Sequence, residues 1–163
     1  MSEKLTDQLL GTWRLISYVE VPADGSAKRY PMGQHPEGII LYTSDGFMAV
    51  QLMKADRRNV ASSDWAVGTD EDFAEYARSF FAYSGRFEVD EAGRIVRHSV
   101  DVSLLPALVG HTQLRTAKIE GDRLHLSTIS PISSASAPVM ARLVWERAGR
   151  FAAKKPQRGG NDV

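Results

Sequence analysis

The chain has 163 residues, 43% of them apolar, with 20 Lys and Arg against 20 Asp and Glu and no cysteine. That length suits one domain, and a formal net charge of zero argues against a nucleic-acid binder, which needs a basic excess to meet phosphates. The missing cysteines exclude disulfides, Cys-ligated zinc and thiol catalysis.

Met1 to Asp7 shows no basic start followed by an apolar core, so no secretory signal is predicted. No apolar run approaches the length of a membrane span. The expectation is a cytoplasmic protein that binds neither membrane nor nucleic acid, and a homo-oligomer is compatible with the sequence. From residue 11 the chain divides into short runs of strand composition separated by Gly, Asp and Pro. The first covers residues 11–21 and ends before Asp24-Gly25. Residues 38–42 and 47–53 flank Ser44-Asp45-Gly46 and read as a hairpin.

A long polar connection, residues 54–68, follows. Thr69 then precedes three acidic residues, and Phe73, Tyr76, Ala77 and Phe80 recur at helical spacing. A threonine N-cap with acids in the first turn suits a helix start, so one helix is predicted over about residues 70–80. It is expected to cover one mouth of the fold with those four residues turned inward. Strand signals resume at residues 83–89, 95–105, 111–119, 124–129 and 139–146. Residues 149–163, with Lys154-Lys155-Pro156 and Gly159-Gly160, lack apolar periodicity and read as a flexible tail behind a domain spanning residues 1–148.

Eight strands joined by short connections predict an all-β, eight-stranded antiparallel up-and-down barrel with one short helix between strands three and four. The alternative is a two-sheet sandwich, which the strand pattern alone does not exclude. The motifs favour the barrel. Gly11-Thr12-Trp13-Arg14-Leu15 has the Gly-x-Trp opening of lipocalin-type barrels, and Gly38 to Met53 has the look of their second hairpin. Tyr83-Ser84-Gly85-Arg86-Phe87, Gly121-Asp122-Arg123-Leu124 and Leu143-Val144-Trp145-Glu146-Arg147 complete the set. Over about residues 8–148 the chain resembles the bacterial lipocalin-like domain family. The resemblance implies a barrel with an internal cavity, which at eight strands holds one small ligand.

Strand alternation indicates what faces that cavity. Gly121-Asp122 as a two-residue type II′ turn pairs Glu120 with Arg123, Ile119 with Leu124, Ala117 with Leu126 and Arg115 with Thr128. The apolar face then carries Arg115 and Gln113 inward and leaves His125 outside. Val100, Val102 and Leu104 alternate with Ser99, Asp101 and Ser103, so His98 should share the inward face. A four-residue loop at residues 90–93 would set Gly85 opposite His98, Tyr83 opposite Val100 and Phe87 opposite Val96. Trp13 is expected to plug the closed end.

The predicted site is therefore Tyr83, Phe87, His98, Val100, Gln113 and Arg115. The inward positions of strands four to seven carry no acid, since Glu88, Asp101 and Glu120 fall on the outward phase. Unless a loop acid such as Asp56 folds in, Arg115 needs water or a ligand to balance its charge. The sequence thus suggests binding of a small, largely apolar or amphipathic molecule with an anionic or enolic group. A second reading is a cofactor-independent isomerase, cyclase or lyase, with His98 as acid or base, Arg115 steadying an oxyanion and Tyr83 assisting. A third is an interaction module with a filled barrel. The four histidines form no metal-binding pair, and neither a metal nor a cofactor is expected.

Overall fold

The computed structural model describes residues 3–58 and 62–149. A short helix α1 (Leu5–Leu9) leads into β1 (Gly11–Pro22), followed by β2 (Glu37–Tyr42), β3 (Phe47–Met53), helix α2 (Asp70–Arg78), β4 (Phe80–Asp90) and β5 (Ile95–Ser103). A single 3₁₀ turn (Pro106–Leu108) precedes β6 (Thr112–Glu120), β7 (Arg123–Thr128), β8 (Ile132–Ser134) and β9 (Ala137–Arg147). All strand pairs are antiparallel. The order β1-β2-β3-β4-β5-β6-β7-β9 closes through β1 with β9. Eight strands form the barrel, and the three-residue β8 pairs with the start of β9 outside that ring.

The connections sort by end. The β2–β3, β4–β5 and β6–β7 links are tight turns at one end. Gly46 and Gly121 supply positive φ there, at 87° and 58°, which glycine adopts without a side-chain clash. The four long links, residues 23–36, 54–79, 104–111 and 129–136, all gather at the other end. The barrel thus has a closed floor and a wide mouth.

The floor is sealed by α1. Leu5 and Leu9 are buried beneath the strands, and the Trp13 indole donates to the Leu9 carbonyl at 2.9 Å. Arg147 lies 4.0 Å from the centre of the Trp13 ring and donates to the Gln8 and Leu10 carbonyls at 2.7 and 3.1 Å. One guanidinium thereby satisfies the end of α1 and stacks on the plug. Glu91, in the β4–β5 turn, accepts from the Leu5 and Thr6 amides at 2.7 and 2.9 Å and so caps the helix start.

Several expectations need correction. Besides β8, the extra helix α1 has no counterpart in the sequence reading, because five residues are too few to show a period. Helix α2 is only a short piece of the β3–β4 connection. Thr69 caps it as expected, in a reciprocal pair with Asp72, but none of its side chains is fully buried. Phe73 and Tyr76 pack edge-on against each other, centroids 5.9 Å apart, and only Ala77 and Arg78, with neighbouring Phe80, reach the cavity.

The β4–β5 register is offset by two from the expected one: Gly85 faces Val100, Phe87 faces His98 and Val89 faces Val96. The turn occupies residues 91–94, with Arg94 at φ 50°. A shift of two preserves the faces. A bulge between Ser84 and Gly85 then opposes them with three residues, Val100 to Val102, so Val102 points to solvent at 66% exposure. No helix among the described residues is long and apolar enough to cross a membrane. The predicted tail beyond residue 149, and residues 59–61 of the polar connection, lie outside the described residues.

Candidate ligand-binding cavity

A cavity of about 610 Å³ opens at the mouth. Its apolar wall includes Ile40, Val50, Leu52, Phe81, Leu126, Leu143 and Trp145, with Leu104, Leu105 and Leu108 at the rim. Four of the six predicted residues line it: Tyr83, His98, Gln113 and Arg115. The Gly121-Asp122 turn is the reason for the last two. Its register runs as expected from Glu120↔Arg123 to Arg115↔Thr128, and Gln113 pairs with His98 on the next strand. Phe87 and Val100 belong instead to the packed core below, where Phe87 meets Tyr42 edge-on at 4.9 Å.

His98 is 1% exposed. Tyr42 Oη lies 2.9 Å from its Nε2, and Tyr83 Oη lies 2.9 Å from its Nδ1. Burial, aided by the Arg115 charge, lowers its pKa from 6.5 to about 3. The ring is neutral at ordinary pH with both nitrogens occupied. Nothing in this arrangement supports the enzyme reading, in which His98 would act as acid or base. Burial likewise raises both tyrosines, Tyr42 well above its usual value, while Arg115 opposes the rise in each.

Arg115 is half-buried. Its Nη1 donates to the Leu114 carbonyl at 2.8 Å, and its Nη2 meets Gln113 Oε1 at 3.5 Å. Neither acceptor is charged, and among the described residues no carboxylate forms a salt bridge with it. Glu88, Asp101 and Glu120 are exposed on the outer face, and Asp56 is exposed at the mouth.

Sequence reasoning missed three polar residues. Tyr18 and Glu20 line the cavity from β1. A bulge between Leu15 and Ser17 shifts that strand's phase, so residues 18, 20 and 22 replace 17, 19 and 21 on the inner face. Glu20 is 3% exposed, accepts from the Tyr18 hydroxyl at 3.0 Å and pairs with Arg29 Nε at 3.6 Å. Burial and the neighbouring carboxylate raise the Tyr18 pKa. The third, Tyr42, carried only the signal of sharing a strand face with Ile40. Among the described residues no three metal-ligating side chains cluster.

The comparisons with known proteins agree with this architecture. The 4'-hydroxy-3'-methoxypropiophenone carrier protein of Aspergillus oryzae is 34% identical over 110 residues, covering 64% of this chain and 99% of the relative. The family model of the lipocalin-like domain matches residues 10–148, the whole barrel from β1 to the end of β9. On that match and the closed barrel it describes, the chain belongs to the lipocalin-like domain family.

Proposed function

We propose that this chain is a small-molecule carrier whose barrel holds a largely apolar molecule bearing an anionic or enolic oxygen. The observation that carries this reading is Arg115, a half-buried guanidinium on an apolar cavity wall whose hydrogen-bond partners are all neutral. Glu20, the carboxylate in the cavity wall, is already paired with Arg29, so Arg115 has no ion-pair partner of its own among the described residues. Such a charge is costly, and a ligand carboxylate, enolate or phenolate relieves the cost. Arginine's planar fork grips two oxygens and stays charged throughout the relevant pH range. The name of the Aspergillus relative supports the class: it describes a carrier of an aromatic ketone that bears a phenolic hydroxyl.

In this reading the apolar body rests against Leu126, Leu143 and Phe81, and Gln113 orients the guanidinium. The test is a binding titration with matched naphthalene acids and their methyl esters, on wild type and on Arg115→Leu. Charge-assisted hydrogen bonds are worth about 1.5–3 kcal/mol, so wild type should favour acid over ester by roughly 10- to 100-fold. Arg115→Leu should abolish that preference. Equal binding of acid and ester by wild type, or a preference that survives the substitution, refutes the reading.

A further inference from the structure

Protons on the Tyr42–His98–Tyr83 chain can be counted. A neutral imidazole carries one N–H and one acceptor nitrogen, and each hydroxyl carries one proton. The three groups hold three protons, and the two hydrogen bonds between them use two. One proton is left over, and the tautomer of His98 decides where. With the hydrogen on Nε2, His98 donates to Tyr42, Tyr83 donates to Nδ1, and the spare proton sits on Tyr42. With the hydrogen on Nδ1, Tyr42 donates to Nε2, His98 donates to Tyr83, and the spare proton sits on Tyr83.

The surroundings distinguish the two. Tyr42 is 2% exposed, takes no part in the cavity wall and, among the described residues, has no hydroxyl partner besides His98. A spare proton there is a buried donor without an acceptor, which costs about 1–3 kcal/mol. Tyr83 lines the cavity, where water or a ligand oxygen accepts its proton. The second tautomer satisfies every group inside the protein and presents its surplus donor at the binding surface.

We propose that Tyr83 is the hydrogen-bond donor to a ligand carbonyl or enolate oxygen. Tyr42 and His98 are positioning residues: Tyr42 holds His98 in the Nδ1–H tautomer, and His98 then donates to the Tyr83 oxygen and so keeps the Tyr83 proton free. The ligand class narrows to aryl ketones, enols and related carbonyl compounds, whose oxygen meets Tyr83 on one side and the Arg115 guanidinium on the other. This assignment deepens the carrier reading and rests on it for the ligand, but not for the tautomer.

The experiment has two arms. In the first, nitrogen NMR of the ¹⁵N-histidine-labelled, unliganded chain near neutral pH reads the His98 tautomer. The proton is expected on Nδ1, and a proton on Nε2 overturns the proposal. In Tyr42→Phe the tautomer should become mixed. In the second arm, 2-acetylnaphthalene and 2-ethylnaphthalene, which differ by one carbonyl oxygen, are titrated into wild type, Tyr83→Phe and Tyr42→Phe. Wild type should prefer the ketone by about fivefold, one ordinary hydrogen bond. Tyr83→Phe should lose that preference. Tyr42→Phe should weaken it although Tyr42 takes no part in the cavity wall, with circular dichroism and denaturant midpoints of both variants as the control for folding. A ketone preference that survives Tyr83→Phe overturns the proposal. If wild type binds neither naphthalene, the carrier reading fails, and the tautomer alone upholds or overturns the placement of the proton.

Discussion

Acidification singles out His98. Its pKa of about 3 in the folded chain stands against about 6.5 in the unfolded chain. Between those values the unfolded chain binds more protons, so stability rises with pH across the window. The imidazole's contribution is complete above about pH 6.5 and drains away as pH falls toward the folded value, at up to roughly 1.4 kcal/mol per pH unit. Integrated from about pH 7 to about pH 4.5, the loss is roughly 2–3 kcal/mol, a large share of the stability of an ordinary domain. The carboxylates whose pKa values are lowered, Asp24, Asp72, Glu91 and Glu120, begin to cost stability near the acid end of this window, as pH approaches their unfolded values, and they do so equally in wild type and in a variant that lacks only the imidazole. The assay is urea denaturation at several pH values on wild type and His98→Gln. Glutamine retains hydrogen-bonding capacity toward Tyr42 and Tyr83 without titrating, and the other three histidines cancel in the difference. Wild type should lose roughly 2–3 kcal/mol more than the variant over that range. Parallel pH profiles, or an NMR titration of His98 with a midpoint near 6.5, would show the ring to be neither desolvated nor held neutral as described.

Three further predictions concern the frame. A Cβ added at Gly85 would lie 1.9 Å from the Ser99 carbonyl oxygen, so Gly85→Ala should destabilise the barrel by about 2–4 kcal/mol in denaturant titration; a loss below about 0.5 kcal/mol would mean that the bulge relaxes freely. Trp13 and Trp145 are both fully buried, yet among the described residues only Trp13 has an indole partner and a stacked cation. Trp13→Phe should therefore cost about 1–2 kcal/mol more than Trp145→Phe, and equal costs would count against the role of the Arg147–Trp13 seal. Glu91→Ala should leave the barrel intact but speed hydrogen exchange at the Leu5 and Thr6 amides, which its carboxylate now accepts; unchanged exchange would show that α1 holds without its cap.

Local chemistry alone determined much of this protein. Turn residues and period-two alternation located all eight barrel strands, because each strand buries one face and each tight turn needs a residue free to adopt its geometry. The Gly121-Asp122 turn sufficed to place Gln113 and Arg115 inside, since a two-residue loop leaves one register. Three things were decided only by the closed barrel. The bulge after Leu15 turned Tyr18 and Glu20 inward, where alternation from Trp13 would have put Val19 and Val21. The bulge opposite Gly85 turned Val102 outward. A bulge is an extra residue whose position depends on the neighbouring strand, here on glycines that leave room for close backbone approach, as at Gly38 and Gly85. Last, Tyr42 and His98 come from β2 and β5, which are not hydrogen-bonded neighbours. Their contact runs across the interior, and only the curvature that joins β1 to β9 brings such strands face to face. Sequence patterns report which face of a strand is buried; which side chains meet across the enclosed space depends on how the sheet closes.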